Sequence, residues 1–181
     1  MIDLIQILLL TAVCLAGLSI AWFSVIIGIT PMPSSAQACA AIVQASRQAP
    51  EGTIVDLGSG WGTLLFALAR QYPERRIVGY ELSWIPCLYA RFYKTIFGLQ
   101  HVQIIRENFL KVDLPEPGLI TCYLFPKGMV DLQAKLAGLP CDDILLISNT
   151  FALPNNEAVQ TEYLDDLYHS PIYSYRLNNQ P

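Results

Sequence analysis

The stretch Val55-Asp56-Leu57-Gly58-Ser59-Gly60-Trp61-Gly62 sets one acid and three alternating glycines at the junction between a β-branched run, Thr53 to Leu57, and a helical one, Thr63 to Gln71. Glycine permits φ > 0 and lets a ligand approach the backbone, while the helix that follows offers unpaired N–H groups. A chain with this junction is committed to a strand–turn–helix unit, and the same alternation continues downstream. Arg76 to Tyr80 predicts a second strand. Ser83 can cap a helix to Phe97, with Ile85, Leu88, Tyr89, Phe92, Tyr93 and Ile96 as its apolar stripe and Gly98 as its stop. Val102 to Ile105 reads as a third strand, Gly118 to Phe125 as a fourth buried on both faces, and Ile144 to Ser148 as a fifth; Met129, Leu132, Leu136 and Leu139 mark the helix between the last two. Glu162 to Leu167 and Ile172 to Arg176 are candidate late strands. This alternation implies an α/β fold with a parallel, doubly wound sheet and ligands at the carboxyl ends of its strands.

The N-terminus has a different character. Leu4 to Ile29 holds no Asp, Glu, Lys or Arg, and as a helix it is about 39 Å long, enough to cross a hydrocarbon core of about 30 Å. Ala36-Gln37-Ala38 has the form of a signal-peptidase site, but the run exceeds the usual apolar core of about 7–15 residues and no basic segment precedes it. We therefore expect an uncleaved transmembrane anchor over residues 1–30, a Pro-containing linker with a short helix over 31–49, capped by Ser34-Ser35, and one α/β domain over 50–181. The anchor accounts for a chain that is 53% hydrophobic and only 14% charged. Few basic residues flank the run, so charge does not orient it.

A formal charge of −4 lacks the basic surplus of a nucleic-acid groove, so no nucleic-acid partner is expected. Five cysteines without a CxxC pair suggest a reducing compartment, and His101 and His169, far apart in sequence, suggest no metal site.

Glu81, at the end of the second strand, is placed to accept hydrogen bonds from a ribose diol. A dinucleotide fingerprint would want its third glycine at position 63, which is Thr63, whereas the pattern (D/E)-x-G-x-G-x-G fits in full. On these residues the chain resembles the seven-β-strand methyltransferases that use S-adenosylmethionine. A narrower likeness adds the Pro31-x-Pro33 linker, Gly79-Tyr80-Glu81-Leu82, Phe125-Pro126 after the fourth strand, and Phe151 with Pro154 after the fifth. Together with the anchor, these features resemble the membrane-anchored protein-lysine methyltransferases whose mitochondrial members act on the ATP synthase c-subunit and the adenine nucleotide translocase, together with their prokaryotic relatives.

The resemblance implies a Rossmann-like seven-strand sheet behind a transmembrane helix. It further implies S-adenosyl-L-methionine bound by Asp56, Gly58, Ser59, Gly60, Trp61, Gly62, Glu81, Leu82, Asn108 and Phe109. Phe125, Pro126, Asn149 and Phe151 would form the catalytic mouth, and the substrate would be a lysine of a membrane protein met from the cytoplasmic side. Trp61 stands where that family usually has an acid, and is expected to contact or cover the cofactor. Asn108 stands where many relatives carry Asp for the adenine amine, a bond an amide oxygen also accepts. The competing readings are a tethered cofactor-binding protein without activity, and a methyltransferase for a small amine or lipid-soluble substrate.

Overall fold

A computed structural model describes residues 3–11, 13, 14, 17, 34–139 and 143–178. Seven strands form one sheet: β1 (Thr53–Leu57), β2 (Ile77–Tyr80), β3 (Val102–Ile105), β4 (Pro117–Cys122), β5 (Ile144–Asn149), β6 (Gln160–Tyr163) and β7 (Pro171–Leu177). Their order is β3-β2-β1-β4-β5-β7-β6, with the first five parallel and β7 antiparallel to both β5 and β6. The reversal of order between β1 and β4 opens a crevice at the carboxyl ends, where ligands of doubly wound sheets collect.

Four helices flank the sheet: α1 (Ala36–Ala45), α2 (Thr63–Gln71), α3 (Trp84–Ile96) and α4 (Pro126–Leu136). Ser35 caps α1 by accepting from the Ala38 N–H at 3.1 Å. Ala38, Ala41 and Ile42 bury α1 in the same apolar cluster as Leu65, Leu68, Ile54 and Leu145, so the short helix assigned from sequence to the linker lies within the domain core. A second cluster on the opposite face joins Val55, Ile120 and Leu146 to Met129 and Leu132 of α4.

Three expectations shift. β4 leaves the sheet at Cys122 rather than Phe125, and Phe125 becomes the residue before α4, with Pro126 in its first turn, where a missing N–H costs nothing. The strand expected at Glu162 to Leu167 ends at Tyr163, because Asp166 Oδ1 accepts from the N–H groups of Tyr168 and Ser170 (3.1 and 2.8 Å) and folds the chain into a turn. The apolar stripe of α3 faces outward: Cys87 and Ala90 lie against the sheet, while Leu88, Phe92 and Ile96 are more than half exposed. Among the described residues no helix is long and apolar enough to cross a membrane. Most of the Leu4 to Ile29 run, together with Pro31 and Pro33, lies outside those residues.

Candidate active site

β1 and β2 end side by side, pairing Asp56 with Gly79 and Leu57 with Tyr80. The loop after β1 is fastened to this edge, since the N–H groups of Gly58 and Ser59 both donate to the Tyr80 carbonyl at 2.9 Å. All three glycines of the motif adopt positive φ, at 77°, 53° and 83° for Gly58, Gly60 and Gly62. The loop geometry thus needs the residues that the sequence supplies. Gly62 has a second reason: a Cβ there would lie 2.5 Å from the Phe66 ring.

Glu81 closes the loop from the neighbouring strand. Its Oε2 accepts from the Gly60 N–H at 2.9 Å and its Oε1 from the Ser83 N–H at 2.6 Å. A carboxylate has about four acceptor positions, so two remain for a diol. Asp56 is fully enclosed and accepts from the Thr121 hydroxyl of β4 at 2.8 Å. Burial pushes the Asp56 carboxyl up to about 7; the Thr121 bond opposes that rise and the nearby Glu81 adds to it.

Two hydroxyls give an independent sign of a ligand. Ser59 Oγ and Ser83 Oγ are buried at the strand ends with no hydrogen-bond partner among the described residues, a condition that buried polar groups seldom tolerate. Beside them the space in front of Gly60 is open, where an added Cβ would come no nearer than 4.0 Å to the Gly58 carbonyl oxygen. Open backbone, orphaned hydroxyls and two acids suit a polar nucleoside with a cationic tail, as S-adenosylmethionine is.

The other expected residues lie around this centre. Leu82 and Phe109 are half-buried beyond β2 and β3. Asn108 Oδ1 accepts from the Leu110 N–H at 3.0 Å, which fixes the amide at the end of β3. The Trp61 indole meets the Tyr89 ring edge-on at 5.5 Å and lines a groove of about 380 Å³ between α2 and α3 with Thr63, Phe66, Arg70 and Tyr93. The indole thus packs against the helix layer at the edge of the glycine loop.

At the next strand ends, Cys122 of β4 pairs with Ser148 of β5. Asn149 is buried, and its Oδ1 accepts from the Thr150 hydroxyl at 3.0 Å. Thr150 has a φ of 68°, a costly conformation for a β-branched residue. The turn is held because Ser148 Oγ donates to the Phe151 carbonyl at 2.6 Å, and Phe151 stacks on Tyr123 with ring centroids 6.2 Å apart. Phe125 is half-buried and Pro126 exposed at the start of α4.

Sequence reasoning missed Thr121, Ser83 as a site hydroxyl, and Leu124, whose side chain would lie 3.4 Å from a Cβ on Gly58. Thr121 had a signal: it is a hydroxyl in an otherwise apolar strand, at the register position of Asp56.

Known structures share this architecture. An RNA methyltransferase from Salinibacter ruber, solved with S-adenosyl-L-homocysteine, superposes with a TM-score of 0.74 at 20% identity, covering 83% of this chain and 96% of that one. A SAM-dependent methyltransferase from Aquifex aeolicus reaches 0.60 at 12% identity, over 76% and 88% of the two chains. The glycine loop and acid on that fold define a methyltransferase that uses S-adenosylmethionine as its cofactor. Residues 56–160 match the ANTKMT methyltransferase domain, and the chain belongs to that family. It is 28% identical over 138 residues to the Caenorhabditis elegans lysine N-methyltransferase of the ATP synthase c-subunit, a match spanning 76% of this chain and 71% of the relative. It is also 32% identical over 75 residues to a probable methyltransferase of ribosomal RNA from Methanosarcina mazei, over 41% of this chain and 26% of that protein.

Proposed function

We propose that this methyltransferase modifies a lysine ε-amine of a membrane-associated protein. The observation that carries the reading is the similarity to the nematode lysine methyltransferase across the site and beyond it. The local chemistry agrees. When bound, the cofactor supplies an electrophilic methyl group; the chain must hold it, align the amine and keep the amine unprotonated. Asp56, Glu81, Ser59, Ser83 and the backbone of Gly58, Gly60 and Gly62 are the groups to hold it, with Trp61, Leu82, Asn108 and Phe109 beside them. Phe125, Pro126 and Phe151 would surround the incoming side chain with apolar surface, which lowers a lysine pKa from its ordinary value near 10.4 by desolvation. The buried Asn149 would orient the amine. In this reading desolvation and alignment of the amine carry the catalysis.

The membrane setting rests on the N-terminus. Residues 4–11 are helical, and Leu4, Ile5, Leu8, Leu9 and Leu10 are exposed, an arrangement suited to lipid. In this reading residues 1–30 anchor the protein, 31–35 lead from the bilayer to α1, and the domain that α1 packs into carries catalysis on the cytoplasmic side, where the cofactor is made.

The test is incubation of the full chain and a Gly60→Arg variant with methyl-labelled cofactor and a membrane extract. Label should appear on lysine in an integral membrane protein and be absent with the variant, whose side chain fills the open space before Gly60. Label entering a small amine or a lipid instead would refute the lysine reading and leave the methyltransferase assignment intact.

A further inference from the structure

The outer face of α3 is the largest part of the domain that the catalytic reading does not use. Trp84, Leu88, Phe92 and Ile96 follow one another at intervals of four, and so form a single line along the helix, with exposures of 50%, 54%, 66% and 61%. A parallel line of Tyr89, Tyr93 and Phe97 lies beside it, with Tyr93 and Phe97 stacked at 4.2 Å. Apolar area so concentrated on one helix signals an interaction surface.

Charge indicates what covers it. From Leu82 to Arg106 there is no Asp or Glu, while Arg91, Lys94 and Arg106 are present. Residues 57–106 hold six Lys and Arg against Glu74 and the buried Glu81; the remainder of the chain holds five against thirteen acids. The aromatic line therefore runs through the basic part of an acidic protein. Arg106 sits with its guanidinium 3.8 Å from the centroid of the Trp84 ring, and Arg70 donates to the Tyr93 hydroxyl at 2.7 Å, so two cations are held at the aromatic rim. A helix with Trp, Tyr, Phe and Leu on its outer face among Arg and Lys is suited to lie in the interface of an anionic bilayer, with rings at the headgroup level and cations on the phosphates.

We propose that the outer face of α3 is a lipid-contact surface, by which the catalytic domain lies against an anionic membrane whatever the N-terminal run does. Because α3 starts where β2 ends, the Trp84 end of the contact lies at the cofactor end of the sheet. The proposal does not depend on the substrate being a lysine.

Fluorescence of the full chain, reconstituted in vesicles with brominated acyl chains, tests it. Comparison with Trp84→Phe isolates the signal of Trp84 from that of Trp22 and Trp61. In vesicles of phosphatidylcholine with phosphatidylserine, the Trp84 component should be quenched, and most of that quenching should be lost in phosphatidylcholine alone, in Lys94→Glu, and in Leu88→Glu/Phe92→Glu. Leu88 and Phe92 are exposed and Lys94 is half-buried on the helix layer, away from the glycine loop, so the variants should bind S-adenosylmethionine with unchanged affinity, which verifies that they are folded. Absence of Trp84 quenching in anionic vesicles overturns the proposal. So does a chain that is dimeric until Leu88→Glu/Phe92→Glu separates it, because a second copy would then be the occupant.

Discussion

A proton on Asp56 stabilises the protein without its ligand. In the unfolded chain an aspartate ionises near 3.9, whereas burial delays ionisation of the folded Asp56 to about 7. Between those values the folded state binds the extra proton, so stability falls as pH rises, by at most about 1.4 kcal/mol per pH unit. The urea midpoint of the cofactor-free full chain should accordingly decline from pH 5 to 7.5. Asp56→Asn, whose amide oxygen can still accept from Thr121, should flatten that slope; a level wild-type profile would mean that Asp56 is ionised throughout. The acid, the three glycines and Glu81 were all legible in sequence because backbone conformation and strand-end position demand those residue types. Thr121 stands out in sequence only as a hydroxyl in an apolar strand, and its partner is set by cross-strand register; Ser83 has no such mark, because its place depends on a buried surface that no local pattern encodes.

At the level of elements, the strand and helix alternation was readable almost to the residue for β1, α2 and β3, where β-branched runs and glycine punctuation agree. The face of α3 was not. Periodicity locates an apolar stripe and says nothing of which side the sheet occupies; here the small Cys87 and Ala90 let the helix lie close over the sheet, and the larger residues are turned away. This orientation has opposite consequences for neighbouring substitutions. Ala90→Leu should overpack the interface and cost about 1–3 kcal/mol, whereas Leu88→Ala should change stability by no more than about 0.5 kcal/mol. Denaturant unfolding of the two variants measures both, and equal losses would place Leu88 in the core.

For the whole molecule, the proposed anchor makes enzyme and substrate neighbours on one surface. Tethering raises effective concentration without any new contact. Deleting residues 1–30 should then reduce methylation of the native membrane target by a larger factor than it reduces cofactor affinity, while Glu81→Ala should reduce both. Parallel measurements by calorimetry and by mass spectrometry of membranes make the comparison, and equal factors for the deletion would remove the anchor from the substrate reaction. Composition marks residues 4–29 as an apolar run and leaves its direction open, because few charges flank it.

β7 joins the sheet out of order, entering between β5 and β6 after every parallel strand has been synthesised. Until it emerges from the ribosome, Ile144 to Asn149 present an unpaired edge, and Tyr175, whose hydroxyl accepts from the Leu153 N–H at 2.9 Å, is missing from the interior. The nascent chain therefore passes through a stage in which the site's glycine loop and both acids exist but the sheet is unsealed. During that stage the open β5 edge is a second aggregation-prone surface beside the apolar run of residues 4–29, and pairing with β7 closes it.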